Sequence, residues 1–173
     1  MFNGNLLRLE LRGSVDSFIS DTTFAQAKVT YKHINSFLQG NRFIATGTVG
    51  TTAVSDFSRL PQSIRFFTGG DNTVRGYGLD RISPLDEDFE EAGGKHLAEI
   101  SFEIEREFRP NFSWAVFTDF GDAFDDEIKL RNSVGLGFRW RSPIGPIRID
   151  AGRGLDSPSN GNWHLHFRLG PDI

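Results

Sequence analysis

The sequence contains no cysteine, which removes disulfide frameworks, zinc fingers and thiol catalysis from consideration. It also lacks an uninterrupted run of about 18 apolar residues, the length that a membrane-spanning helix requires. The N-terminal segment MFNGNLLRLELRG has no basic stretch followed by an apolar one, so it does not read as a signal peptide. An exported protein of this sequence would therefore be a mature form or a fragment. The net charge of −4 gives no indication of a nucleic-acid surface.

What the sequence has in quantity is glycine and phenylalanine, with 19 and 17 residues among 173. Most of the chain alternates between polar and apolar residues, and a period of two is typical of β-strands with two different faces. The eight alternating segments are LLRLELR (6–12), AQAKVTYK (25–32), RFIATGTVG (42–50), HLAEISFEIEREF (96–108), FSWAVFTDFG (112–121), SVGLGFRWR (133–141), PIRIDAG (146–152) and WHLHFRLG (163–170). The pattern predicts one all-β domain over residues 1–173.

The connectors between these segments differ in length. SPIGP (142–146) is short and contains Pro and Gly, which fix turn dihedrals, whereas GDAFDDEIKLRN (121–132) and DSPSNGN (156–162) are long and polar. The most unusual connector, SIRFFTGGDNTVRGYGLDRISP (63–84), belongs to a loop of about 30 residues, a length that is uncommon unless the loop has a function. An antiparallel up-and-down sheet whose two ends face different environments has connectors of this kind.

Alternation alone leaves open which face is inside. In a soluble β-barrel the apolar face forms the interior, whereas in an outer-membrane barrel the apolar face contacts lipid and the interior is polar. Three features favour the membrane barrel. The polar faces carry charges of both signs, several segments have the roughly 9–11 residues that cross a bilayer at a tilt, and aromatic residues lie near strand ends as in an interfacial girdle. These aromatic residues are Phe108, Phe112, Trp114, Trp140 and Trp163. A soluble β-barrel that binds an apolar ligand remains the alternative.

The long loop resembles the sixth extracellular loop of the BamA/TamA superfamily, whose β-barrels assemble or translocate outer-membrane proteins. The V-R-G-[FY] signature of that loop is matched by Val74, Arg75, Gly76 and Tyr77. The signature is preceded by residues that resemble the sequence of the TamA-like branch, namely Phe67, Gly69, Gly70 and Asp71. Further stretches resemble family motifs in the same order, namely SFEIERE (101–107), FTDFGDAF (117–124), GLGFRWRSPIGPIRIDAG (135–152) and HLHFRLGPDI (164–173). The resemblance covers roughly residues 60–173, and the earlier segments are generic barrel strands.

The resemblance implies a site inside the barrel. The loop, residues 66–94, would fold into the lumen, and Arg75 would pair there with Glu103 and Asp119 next to Phe117. The alternation independently places these three partners on inward, polar faces, and a guanidinium can bind carboxylates bidentately. The glycines expected in turns or loops are Gly69, Gly70 and Gly121.

Family barrels have sixteen strands preceded by periplasmic repeat domains, so the chain resembles the C-terminal half of such a barrel, without the repeats. It could close on itself by pairing residues 4–13 with residues 163–170, form a homodimer through its edges, or be an excerpt of a larger chain. We expect the closed eight-stranded form. The resemblance further implies the outer membrane of a Gram-negative bacterium, contact with its lipids, and insertion or translocation of unfolded outer-membrane protein clients. A passive structural barrel or small pore is the alternative function.

Other groups of polar residues have simpler explanations than a catalytic or metal site. His164 and His166 share one strand face with the spacing of a metal chelate, but no third ligand is suggested nearby, so we expect them to line the lumen. The acidic run at 86–91 lacks the spacing of an EF-hand and is expected to be a solvated loop. The glutamates Glu99, Glu103 and Glu105 are expected to pair with Arg139, Arg148 and Lys28 rather than to hydrolyse glycosides. We therefore predict no enzymatic activity, no metal and no cofactor.

Overall fold

The computed structural model describes residues 3–15, 22–156 and 163–170, and these form a single antiparallel sheet. Its strands are β1 (Gly4–Ser14), β2 (Phe24–Phe37), β3 (Asn41–Val54), β4 (His96–Arg109), β5 (Phe112–Phe124), β6 (Arg131–Ser142), β7 (Gly145–Gly154) and β8 (Trp163–Leu169). Each strand pairs with the next one along the chain, so the predicted up-and-down topology is confirmed. Within the described residues, no helix is long and apolar enough to cross a bilayer.

The sheet has an apolar outer face and a charged inner face. We define the inner face as the one on which the long loop packs. Leu9 and Phe167 point outward and are 60% and 62% exposed, whereas Glu103 and Asp119 point inward and are 4% and 0% exposed. Other exposed apolar side chains of the outer face are Leu7, Leu11, Val49, Ile104, Val116, Leu136, Leu165 and Leu169. The orientation of the strands agrees with the membrane-barrel prediction, because a soluble β-barrel would bury this set.

Aromatic side chains gather on the outer face where β4 turns into β5 and β6 turns into β7. The ring of Trp114 lies 5.3 Å from that of Phe108 and 5.4 Å from that of Phe138, and the Phe112 and Trp140 rings stack at 5.9 Å. Such aromatic pairs stabilise the fold by more than the apolar area they bury would give. This aromatic band therefore borders the apolar outer face at its short-turn end.

The sheet is open in the described residues, since the ladders run from β1 to β8 and do not include a pairing of β8 with β1. The expectation of a closed eight-stranded barrel is therefore wrong for this structure. The physical reason lies in the interior. An eight-stranded barrel has just enough internal space for its own side chains, whereas here the inner face also accommodates a long loop.

The loop between Val54 and His96 is tied together by its own backbone bonds. Its paired residues are Phe66 with Gly94, Thr68 with Ile82 and Leu85 with Glu91. At its base, the Arg65 guanidinium donates hydrogen bonds to the carbonyl oxygens of Leu60 and Ala92 at 2.9 Å. These bonds make the loop a packed unit rather than a flexible connector.

The sheet curves around the tip of the loop. Strands β4 and β8 are four positions apart, which in a flat sheet would separate them by about 19 Å. One loop residue, Arg75, nevertheless contacts Glu103 of β4 through its side chain and His166 of β8 through its carbonyl oxygen. The sheet from β4 to β8 must therefore wrap around the loop tip.

Candidate functional site: a buried arginine at the loop tip

Two consecutive glycines begin the tip of the loop. Gly69 and Gly70 have φ values of 102° and 105°, a backbone conformation that residues other than glycine rarely adopt. The turn continues with hydrogen bonds from Thr73 N to Gly70 O and from Tyr77 N to Val74 O, at 3.3 and 3.2 Å. The Gly-Gly sequence thus allows the reversal that carries Arg75 onto the inner face.

The Arg75 guanidinium binds carboxylates from three strands. Nε and Nη2 each donate to one oxygen of Asp119 at 2.9 Å, which is bidentate pairing. Nη1 donates to Glu103 at 2.6 Å and lies 3.4 Å from Asp150. The Arg75 backbone N–H also donates to Asp119 at 3.1 Å. Because Arg75 and these carboxylates are all buried, their bonds are among the strongest that charged side chains make.

Phe117 supplies the floor of this site. Its ring centroid lies 3.4 Å from the Arg75 Cζ, so the guanidinium stacks on the ring face in a cation–π contact. The ring is 2% exposed and rests against β6, where an added Cβ at Gly135 would overlap it. Glycine at position 135 therefore allows Phe117 to lie flat under Arg75.

A second layer of ion pairs extends the site toward the short-turn end. The Arg139 guanidinium contacts Glu103 at 2.9 Å and Asp150 at 2.6 Å, so it shares both carboxylates with Arg75. The neighbouring Glu105 pairs with Arg139, Arg148 and Arg42 at 3.4, 3.3 and 3.1 Å. We call this set the inner ion-pair cluster, and its members are Arg42, Arg75, Arg139, Arg148, Glu103, Glu105, Asp119 and Asp150. Its four cations and four anions balance, which is how buried charges are tolerated.

The charge of Arg75 is secured by its surroundings. Burial by itself would lower the pKa of Arg75, but the hydrogen bonds and charge of Asp119, with the charges of Glu103 and Asp150, outweigh it. The net effect raises the pKa of Arg75 above its already high ordinary value. The site therefore holds a permanent cation and provides no group at Arg75 that could exchange a proton.

Strands β5 and β6 also contact the other residues of the loop signature, namely Val74, Gly76 and Tyr77. An added Cβ at Gly76 would lie 2.5 Å from Ser133 Cβ, and one at Gly121 would lie 2.7 Å from a methyl group of Val74. Gly121 lies within β5, so its prediction as a turn or loop glycine is wrong. Its glycine is needed for the close approach of Val74 instead. Tyr77 donates to Asn132 O at 3.4 Å, and desolvation by burial raises the pKa of its phenol.

The structure separates the three predicted glutamates. Glu103 and Glu105 pair with arginines, but Glu99 accepts a hydrogen bond from Thr68 of the loop at 2.5 Å. The acidic run at 86–91 contributes Glu91, which pairs with the exposed Arg81 at 3.0 Å. No group of three or more metal-ligating side chains occurs within the described residues.

Sequence reasoning missed the contribution of two residues to the site. Asp150 completes the cluster from β7, and His166 of β8 bonds both Asp71 and the Arg75 carbonyl oxygen. The alternation of residues within β7 and β8 places Asp150 and His166 on the inner face. This alternation is the sequence signal that could have identified them. Their partners in the loop lie 75 to 95 residues away along the chain, and periodicity says nothing about contacts over such separations.

The Omp85 superfamily domain matches residues 3–173. The chain belongs to the Omp85 superfamily. The predicted membership of the BamA/TamA superfamily is thereby confirmed, while the TamA-like branch stays a prediction. This match includes the first strands, which by sequence alone were only generic barrel strands.

The chain spans only part of the length of the two BamA proteins that it resembles. It is 36% identical over 123 residues to "Outer membrane protein assembly factor BamA" of Nitratidesulfovibrio vulgaris, a match that covers 64% of this chain and 16% of that protein. The crystal structure of BamA from Haemophilus ducreyi lacking POTRA domains 1–3 superposes with a TM-score of 0.75 at 17% identity, covering 95% of this chain and 38% of that one. The structural match shows a shared barrel fold, in agreement with the predicted half-barrel. The curated relative is named as an assembly factor and not as an enzyme, in keeping with the prediction of no enzymatic activity.

Proposed function

We propose that this chain forms the C-terminal part of an outer-membrane β-barrel, in a Gram-negative bacterium, that inserts or translocates other outer-membrane proteins. The observation that carries the proposal is the two-sided sheet, apolar outside and charged inside, with the signature loop fixed on its inner face by Arg75. The relationship to a BamA assembly factor supports the client class, namely unfolded outer-membrane proteins.

The outer face supports the lipid as a partner. Its exposed large apolar side chains extend over all the strands from β1 to β8, and soluble monomers rarely expose such a continuous apolar surface. The aromatic band around Trp114 provides the kind of side chain that settles at a membrane–water interface. The soluble-barrel alternative would require this surface to be buried.

The inner ion-pair cluster has the proposed role of an anchor for the loop, residues 66–94. Arg75 joins the loop to Glu103 of β4, Asp119 of β5 and Asp150 of β7. A loop fixed in this way covers the inner face over those strands, which disfavours the passive pore. The anchored loop would instead keep the curvature of the sheet constant while its edges interact with other strands.

The two open edges are the proposed sites of strand addition. In a bilayer, each unpaired backbone N–H or C=O group at the edges of β1 and β8 would destabilise the protein by roughly several kcal/mol. Both edges must therefore be paired with further strands. An incoming client strand can add to such an edge through main-chain hydrogen bonds. A second copy of this chain, joined edge to edge, is the homodimer that the same requirement permits.

Reconstitution into liposomes tests the proposal. Purified protein is incorporated into vesicles, an unfolded outer-membrane barrel is added, and its folding is followed by its heat-modified mobility on gels. We expect faster client folding than in empty vesicles, and a slower rate with Arg75→Ala than with the unsubstituted chain. A rate equal to that of empty vesicles would refute the assembly activity.

A separate measurement tests the membrane placement. We expect the protein to need detergent to remain dispersed, and its mass in micelles distinguishes one copy from two. A monodisperse, detergent-free monomer at high concentration would overturn both the lipid contact and the proposed localisation.

A further inference from the structure

The last strand is fastened to the loop tip at three points. The His166 ring bonds the Asp71 carboxylate through Nδ1 and lies 2.6 Å from the Arg75 carbonyl oxygen through Nε2. Two residues further along β8, Arg168 donates to Asn72 Oδ1 at 2.7 Å. His166 is buried, and its contacts join segments 91 and 95 residues apart. Among the described residues, β8 is otherwise joined to the sheet through its ladder with β7.

Both partners of His166 are hydrogen-bond acceptors. A carboxylate and a backbone carbonyl accept hydrogen bonds, whereas a neutral imidazole has one N–H donor and one acceptor nitrogen. A neutral His166 could therefore satisfy only one of the two contacts, and the doubly protonated ring satisfies both. The two contacts therefore match a ring that donates from both nitrogens, with the Arg75 carbonyl oxygen buried and the Asp71 side chain half-exposed.

Charged and titratable groups surround this ring on every element that packs near it. They are Asp71 and Arg75 of the loop, Asp150 and Arg148 of β7, and His164 and Arg168 of β8. Asp150 is the cross-strand neighbour of His166, and it is held by Arg139 and Arg75. The nearest carboxylate that His166 itself contacts is therefore Asp71.

We propose that His166 is a positioning residue that fastens the edge strand β8 to the loop tip, and that the fastening is complete only while both ring nitrogens carry protons. Loss of one ring proton releases one of the two contacts and loosens β8 from the loop. The ion pairs of the Arg75 side chain involve no histidine, so they should remain in place. This inference rests on the proposed anchoring of the loop by Arg75 and adds a pH-sensitive connection to the edge where strand addition is proposed.

The absence of cysteine makes a distance measurement straightforward, since introduced cysteines are the sole labelling sites. Spin labels at Leu79→Cys in the loop and Leu165→Cys on β8 occupy positions that are 75% and 76% exposed. Their distance is measured by pulsed electron paramagnetic resonance in micelles, at about pH 5 and about pH 8. We expect a narrow distance peak at the lower pH and its loss, with a longer mean distance, at the higher pH.

Three controls isolate His166. A second label pair, Leu79→Cys with Leu136→Cys on β6, reports the Arg75 anchoring and should not respond to pH. His166→Gln, whose amide side chain does not titrate, should abolish the pH response of the β8 pair. His164→Gln changes the neighbouring histidine on the same face and should preserve that response.

An unchanged β8 distance between the two pH values would overturn the inference, as would a pH response that survives His166→Gln. If His166→Gln fails to fold, the unsubstituted chain still tests the inference, because an equal β8 distance at the two pH values overturns it. The experiment uses no client, so it stands apart from the insertion assay. Failure of the proposed anchoring would instead appear as a broad loop–β6 distance at both pH values.

Discussion

Replacement of Arg75 by alanine would leave one carboxylate without a cation. Glu103 and Asp150 would keep Arg139 at 2.9 and 2.6 Å, but within the described residues Asp119 pairs with no cation other than Arg75. Asp119 is completely buried. Removing one partner of a buried ion pair costs about 3–5 kcal/mol, because an uncompensated charge remains. We therefore expect Arg75→Ala to lower the free energy of unfolding by that amount.

The same reasoning predicts that a second substitution restores part of the loss. Asp119→Asn removes the orphaned charge and keeps a side chain that can still bond Ser101, whose hydroxyl donates to Asp119 at 2.7 Å. The double variant Arg75→Ala/Asp119→Asn should be more stable than Arg75→Ala by about 1 kcal/mol or more, within the range that double-mutant cycles resolve. Asp119→Asn alone should be destabilising, since it leaves Arg75 with one carboxylate fewer.

Urea-induced unfolding in lipid vesicles measures these free energies, and limited proteolysis reports access to residues 70–90. If Arg75→Ala unfolds within about 0.5 kcal/mol of the unsubstituted chain and its loop remains protected, the anchor is refuted. Additive effects of the two substitutions would mean that Arg75 and Asp119 do not act as a pair, whatever their separation.

Three further substitutions probe the floor of the site and the outer face. Gly135→Ala should destabilise by about 1–3 kcal/mol because its Cβ overlaps the Phe117 ring, while Gly47→Ala, with its nearest neighbour at 4.0 Å, should have little effect, both measured by urea unfolding. Phe117→Ala should cost about 3–5 kcal/mol in the same assay and increase protease access to the loop, and an unaltered digestion pattern would contradict the stacking argument. Leu165→Lys should cost about 2–4 kcal/mol in vesicles if the outer face contacts lipid, whereas Ile144→Lys, in an exposed turn, should be close to neutral, and equal effects would count against the bilayer placement.

The alternation of inward and outward residues along each strand explains how much of the site the sequence could reveal. Residues 103, 117 and 119 lie at positions whose inward orientation follows from the alternation within β4 and β5, and the structure brings them together around Arg75. The strands were foreseen at nearly their observed places, because alternating sets such as Leu7, Leu9 and Leu11 have a single period. These features depend on residues that are neighbours along one strand, so a local sequence pattern predicts them.

The rest depended on contacts that no local pattern encodes. The His166–Asp71 contact joins the last strand to the loop tip across 95 residues, and the pairing of Glu99 with Thr68 depends on how far the loop reaches. Gly121 was misassigned because glycine in a sequence suggests a turn, whereas here it leaves space for Val74. The closed barrel failed for a similar reason, since the volume of a folded loop is not visible in strand periodicity.

A charged interior also explains why the strands adopt one register. The outer face must be apolar for lipid, so an apolar inner face would leave each strand hydrophobic on both sides and indifferent to a slip of one residue. In this chain, such a slip in β4 would turn Glu103 and Glu105 outward and leave Arg139 and Arg148 facing apolar side chains. A charge moved to the lipid face of a barrel costs up to about 2–4 kcal/mol for Arg or Lys and less for Asp or Glu, and each broken buried pair adds about 3–5 kcal/mol. The inner ion-pair cluster therefore penalises the misregistered sheet more heavily than it stabilises the native one, and the same charges that hold the loop specify which way every strand faces.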